Sequence, residues 1–207
     1  EILKDGYTGT VYDLIGTNDP VQISWDQDDN FYDPIIGSTC QINLFVTDTT
    51  NYDDFYIADE REYKIKISYK DSSNNYQTYW QGWLLVDQFQ EAVTSTPYPI
   101  TLRGYDALGS LGGFTQPLTT SSGNQLAGSF MVFTHEILEN IDLGFDIYVS
   151  NDIQKDGASS GYNIFDQSYC GADSFFSDGV DPKNCKEVLE QILKFTNSRI
   201  FQSYGRW

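Results

Sequence analysis

Apolar and polar residues alternate along Tyr63-Lys64-Ile65-Lys66-Ile67-Ser68-Tyr69. A period of two marks a strand with one face buried and the other wet. Asp71-Ser72-Ser73-Asn74-Asn75 comes next, a cluster of turn formers. Tyr79-Trp80-Gln81-Gly82-Trp83-Leu84-Leu85-Val86 then reads as a second, more apolar strand, and Tyr98 to Tyr105 as a third, running into Asp106-Ala107-Leu108-Gly109-Ser110-Leu111. This is a β-meander in which two tryptophans flank one glycine. Strand aromatics bury large areas, and a glycine between them lets a ring or backbone approach closely. Trp80, Gly82, Trp83, Leu102, Leu108 and Leu111 are therefore candidate core residues.

Upstream, Tyr7–Ile15 alternates well enough for a first strand, Gly16–Pro20 reads as a turn, and Val21–Trp25 alternates cleanly as a second strand. Cys40–Val46 is a third, and Tyr52–Ile57 a short connector before the meander. About six strands with turn signals every ~8–12 residues suggest an antiparallel barrel or sandwich.

The texture changes after Leu111. Residues 112–124 have linker chemistry, rich in Gly, Ser and Thr. Leu126, Phe130, Phe133, Ile137 and Ile141 then recur at spacings of three and four, predicting a helix over about 125–140. Phe145–Val149 reads as a strand, and residues 151–181 as a long irregular stretch anchored by aromatics, a length usually tied to function or to a partner. Asn184, with Glu187 three residues on, forms a capping box for a second helix whose buried stripe is Val188, Leu189, Ile192 and Leu193. Ser198–Ser203 reads as a strand, with a hairpin beginning at Tyr204. The expected organisation is thus a β-barrel or sandwich over 1–111, a linker over 112–124, and a smaller α+β domain with two helices over 125–207. The fold class is α+β and β-rich. The start at Glu1 and the stop at Trp207, in mid-hairpin, read as a piece of a longer chain, incomplete at its C-terminus.

Composition narrows the function. The 207 residues carry 30 Asp+Glu against 12 Lys+Arg, a net charge of −18. Most of such a surface repels a polyanion, so direct, sequence-specific nucleic-acid binding is not expected. No run approaches the ~18 apolar residues of a membrane span, and no signal peptide is visible. Cys40, Cys170 and Cys185 make neither a disulfide framework nor a CxxC motif. A Cys170–Cys185 bridge would need an oxidising compartment; buried free thiols are the plainer reading.

Recognisable chemistry is sparse. Asp26, Asp28 and Asn30 start like a calcium loop, but Phe31 stands where the loop needs glycine, and Gly37 where it needs a bidentate Glu. A solvated turn is the default. His135 is the only histidine, beside Glu136, with neither nucleophile nor second ligand nearby. The motifs of serine hydrolases, phosphate loops, zinc proteases and kinases do not occur. A glycosidase carboxylate pair is defined by a cleft about 5–10 Å across, which spacing in sequence does not display. The chain reads as a non-enzyme with no cofactor or metal.

Several motifs carry a resemblance. Trp80-Gln81-Gly82-Trp83-Leu84, then Tyr98-Pro99-Ile100-Thr101-Leu102, then Gly104-Tyr105-Asp106-Ala107-Leu108-Gly109-Ser110-Leu111 resemble tail proteins of tailed phages and prophages, especially of Bacteroidetes-type hosts. Asn184–Leu193 and Arg199–Trp207 are similar to the helix and hairpin found downstream in those proteins. Ala107 stands where the family pattern has glycine. The resemblance implies a virion structural protein of the tail tip or baseplate hub, made in the bacterial cytoplasm. A more distant, fold-level likeness of the meander to the hub barrels of contractile phage baseplates and type VI secretion spikes implies ring homo-oligomers joining the tail tube to host-recognition parts, with other tail proteins as partners. A negatively charged lumen would suit a tube through which DNA slides. The competing reading is a carbohydrate-binding or glycan-cleaving module of a cell-surface or phage adsorption protein. It needs tryptophans exposed in a groove beside carboxylates, with Trp25 the candidate glycan contact.

Overall fold

A computed structural model describes residues 1–4, 6–26, 32–48, 52, 55, 58–88, 94–116, 127–150, 163–177 and 181–207. The chain is α+β and β-rich, and it divides into two compact units. One comprises Glu1–Gln27, Gly37–Asp106 and Gln202–Gly205; the other comprises Asp28–Ile36, Ala107–Phe201 and Arg206–Trp207. The division falls between Asp106 and Ala107, five residues before the expected one at Leu111, because Leu108 and Leu111 are buried in the second unit.

The first unit is one antiparallel sheet built from β1 (Ile2–Lys4), β2 (Ile15–Trp25), β3 (Ser38–Val46), β4 (Tyr63–Lys70), β5 (Tyr76–Leu84) and β6 (Tyr98–Tyr105). Their order is β1-β4-β5-β6-β3-β2. Alternation sends Cys40, Ile42, Leu44 and Val46 of β3, Ile65 of β4, Trp80 and Leu84 of β5, and Ile100 and Leu102 of β6 into one shared core. Tyr52, Phe55 and Tyr63 complete it, with the Phe55 and Tyr63 rings edge to face at 4.9 Å.

The expected barrel does not form: the sheet stays open, and it is the only sheet of this unit among the described residues, so neither is it a two-sheet sandwich. Two strands explain why. β1 has only three residues, and β2 is interrupted where its pairing to β3 jumps from Gly16 to Val21. Neither offers a continuous ladder to close upon. The expected strand over Tyr7–Ile15 is also absent, since β2 begins at Ile15 and the expected turn at 16–20 lies within it. Tyr7–Leu14 alternates but has no apolar surface to cover, so the pattern does not become a strand.

The second unit holds α1 (Phe130–Glu139), α2 (Ile164–Gln167) and α3 (Cys185–Phe195), with the ladders β7 (Ala127–Ser129)–β8 (Tyr169–Gly171) and β9 (Phe176–Ser177)–β10 (Asp181–Pro182). Its core gathers Leu108, Leu111, Phe133, Ile137, Ile141, Val188, Leu189 and Ile192, all almost fully buried. The Asn184 side chain accepts from the Glu187 amide at 2.9 Å, and the Glu187 carboxylate accepts from the Asn184 amide at 3.2 Å, closing the capping box of α3. Ser129 caps α1, so the helix begins five residues inside the expected start, because 127–129 pair as β7. Phe145–Val149 is not a strand: two main-chain bonds tie it to Trp207, at Tyr148 N to Trp207 O and Trp207 N to Asp146 O. Ser198–Ser203 is not a strand either, and Ile200 makes an isolated parallel bridge to Ile35.

Candidate functional site

The residues singled out by motif build a junction in the first unit. β5 and β6 pair at Trp83↔Tyr105 and Leu84↔Gly104, and Leu85 N donates to Arg103 O at 2.8 Å just beyond. A Cβ on Gly82 would lie 2.3 Å from Tyr105 O and 2.4 Å from Trp80 Cη2, and one on Gly104 would lie 2.8 Å from Ile65 Cδ1. Gly82 must be glycine for the strands to meet under the Trp80 ring, whereas at 104 a side chain would press on the tip of Ile65 and, at 3.1 Å, on the Trp83 carbonyl. That ring is completely buried, and its Nε1 donates to Ser38 Oγ at 2.8 Å. Ser38 Oγ and Ser38 N both donate to Asp106 Oδ2, at 2.7 and 2.6 Å, while Asp106 N donates back to Ser38 O at 3.0 Å. A buried carboxylate held by such donors fixes three strands relative to each other. Ala107, next in the motif, has φ +64° and is fully buried. That left-handed conformation is one that glycine adopts without strain and alanine does not.

A second feature completes β5. Ser68 pairs with Thr78 and Ile67 with Trp80, so Tyr79 is a bulge. The Tyr79 carbonyl accepts from Gly205 N at 3.2 Å. Beyond the short β5–β6 ladder, Gln81 N donates to Gln202 Oε1 at 2.6 Å and Gln202 Nε2 donates to Gln81 O at 2.7 Å. The fully buried Gln202 carboxamide thus stands in for a neighbouring strand. Tyr204 packs edge to face on both Tyr69 and Tyr79. Sequence reasoning missed Gln202; a lone glutamine in an apolar setting is the only signal it leaves.

The indoles do not form a groove. Trp83 is 4% exposed, with the Lys64 ammonium 4.6 Å from its ring centroid. Trp25 is half-buried, and its Nε1 donates to Gln202 O at 2.9 Å. Leu102, Leu108, Leu111, Val188, Leu189 and Ile192 are all interior.

The candidate chemistry stays scattered. Among the described residues no three His, Cys, Asp or Glu side chains gather as a metal site. Asp28 and Asn30 of the acidic loop lie outside the described residues. His135 Nδ1 sits 3.6 Å from Glu139 Oε1 on an exposed face of α1. Glu136 has its pKa raised, first by burial and then by Glu139, against the opposing pull of His135. Cys40, Cys170 and Cys185 are free thiols, and burial pushes Cys40 up to about 12 and Cys185 to about 11. Thiols held so far above neutrality are poor nucleophiles.

What the surface does offer is apolar. Every residue from Gly6 to Gly16 is exposed, Val11 at 90%. β2, which continues this arm, has β3 as its only strand neighbour among the described residues. The bond from Asp26 N to Gly37 O sets the parity, so the main-chain groups of Val21, Ile23 and Trp25 face away from β3.

No protein-family model matches this sequence, and a comparison with curated proteins finds no significant match. No helix among the described residues is long and apolar enough to cross a membrane.

Proposed function

We propose that this chain is a structural subunit of a phage tail tip or baseplate hub, acting by self-assembly into a ring rather than by catalysis. It would link the tail tube to host-recognition parts, and its place of work would be the virion. The observation that carries the reading is the exposed apolar arm leading into an open sheet edge, a surface that favours a protein partner. The motif residues support it from inside: Trp80, Gly82, Gly104 and Asp106 spend their chemistry on holding strands together. A subunit that transmits load needs such a rigid frame, and a sugar groove would need the same rings at the surface.

The test is fractionation of particles produced by a host that carries the gene. The chain should co-purify with intact tails through a density gradient and stay with them at high salt. Recovery only from the particle-free fraction would overturn the reading. Trp25, as the half-buried indole, is where the glycan alternative has to act. A saturable change in tryptophan fluorescence on adding host glycans, lost in Trp25→Ala, would favour that alternative.

A further inference from the structure

We infer that the exposed arm of one copy of this chain lies across the outward face of β4 on a second copy, head to tail. The inference rests on the assembly reading above and adds which surfaces meet.

The donor surface is the run from Tyr7 to Trp25. It exposes Val11, Tyr12 and Ile15 at 90%, 61% and 54%. Its described ionisable side chains are acidic or tyrosine, with Asp13 and Asp19 exposed and no lysine or arginine. It ends in the outward-facing main-chain groups of β2. The partner must therefore offer apolar contact and positive charge together.

One described surface of this acidic chain does so. Along β4, Tyr63 and Ile65 point into the core, which turns Lys64, Lys66 and Lys70 to the opposite face, where Lys64 and Lys66 are half-buried and Lys70 is exposed. Residues 63–70 contain no acid. Lys66 and Lys70 make no ion pair among the described residues. On the same face Leu3, 44% exposed, pairs with Lys64 across the ladder and Tyr76, 72% exposed, pairs with Lys70, while Glu1 lies opposite Lys66 and is the one acid beside the stripe among these paired positions. The Lys70 ammonium lies 5.1 Å from the Tyr76 ring centroid.

Charge also fixes the mode. Pairing β2 with the β2 of another copy would bring together two edges whose charged side chains, Asp19 within the strand and Asp13 and Asp26 just beyond its ends, are all acids, which is repulsive in a chain of net charge −18. Arm on lysine stripe removes that conflict. The two surfaces are different, β2 at one edge of the sheet and β4 next to the other, and a head-to-tail repeat of this contact closes a ring when the rotation allows it.

Sedimentation velocity of the full chain at 0.05 M and 0.5 M salt tests this, with circular dichroism as the folding control. All substitutions are at exposed side chains except that of the half-buried Lys66. Val11→Asp with Tyr12→Ser should weaken association at least about tenfold. Asp13→Lys with Asp19→Lys should do the same, as should Lys66→Glu with Lys70→Glu. A chain carrying both charge reversals should regain assembly, as should an equimolar mixture of the two singly reversed chains. Wild-type oligomers indifferent to all three variants would overturn this interface while leaving the assembly reading standing. Weakening by the reversals without recovery in the combined chain would also overturn it. A wild-type chain that stays monomeric at every concentration would overturn both.

Discussion

Trp80 and Ser38 lie 42 residues apart in sequence and share a buried hydrogen bond, Nε1 to Oγ at 2.8 Å. Ser38 passes the chain on to Asp106, whose Oδ2 takes both its hydroxyl and its amide. Ser38→Ala should destabilise the fold by about 1–3 kcal/mol, because it leaves the indole N–H without its acceptor. Asp106→Ala should cost more, since it strands two donors at once. Urea titration followed by tryptophan emission checks the order Asp106→Ala below Ser38→Ala below wild type.

Glycine at 82 is a steric requirement, and glycine at 109 is not. Gly82→Ala would drive a methyl into the Tyr105 carbonyl and the Trp80 ring. Overpacking of this kind costs about 1–3 kcal/mol or more, and here backbone is on one side. Gly109→Ala meets nothing within 4 Å, so it should be neutral or raise stability by about 0.4–1 kcal/mol. Thermal melts of the pair, one falling and one level or rising, are the readout.

Gln202 completes β5 by way of a side chain. Gln202→Ala should leave the Gln81 amide and carbonyl without this carboxamide, a loss of roughly 2 kcal/mol. Gln202→Glu keeps the acceptor but places a carboxylate against the Gln81 carbonyl, so it should fail to rescue. Hydrogen exchange at the Gln81 amide should accelerate in both variants, while the amides of α3 keep their protection.

Glu136 supplies a pH dependence of definite sign. Its folded pKa is raised, chiefly by burial. Its contribution favours the folded state when the carboxyl is protonated, below the unfolded value near 4.5, and is lost as pH rises through the raised folded value. Glu136→Gln should therefore raise the melting temperature at pH 7 relative to wild type, with the gap narrowing toward pH 4. A gap that widens on acidification would contradict this.

Much of the sheet was legible because its strands bury one face. Cys40–Val46 and Tyr98–Tyr105 alternate in sequence and in burial alike, and β4 does so over Tyr63–Lys66. The capping box of α3 could be read locally, since Asn184 and Glu187 act within one turn. What escaped depends on distant partners. β1 exists through pairing of Ile2–Lys4 with Tyr63–Ile65. Gln202 has meaning only beside Gln81. Tyr7–Leu14 misled in the opposite sense: it has the alternation of a strand, but its apolar residues face solvent. An exposed arm and a buried strand share one local pattern, and only burial separates them. The junction residues Trp80, Gly82 and Asp106 could be singled out by motif, yet the Trp80–Ser38–Asp106 chain could not, because nothing in the local sequence ties residue 38 to either.

Self-assembly is decided by the mass of the purified full chain in solution, measured by mass photometry across a dilution series and imaged in negative stain. The expected result is one dominant multimer of fixed copy number, seen as closed rings, which dissociates as salt is raised. Monomers at every concentration, or aggregates without a defined size, would contradict it.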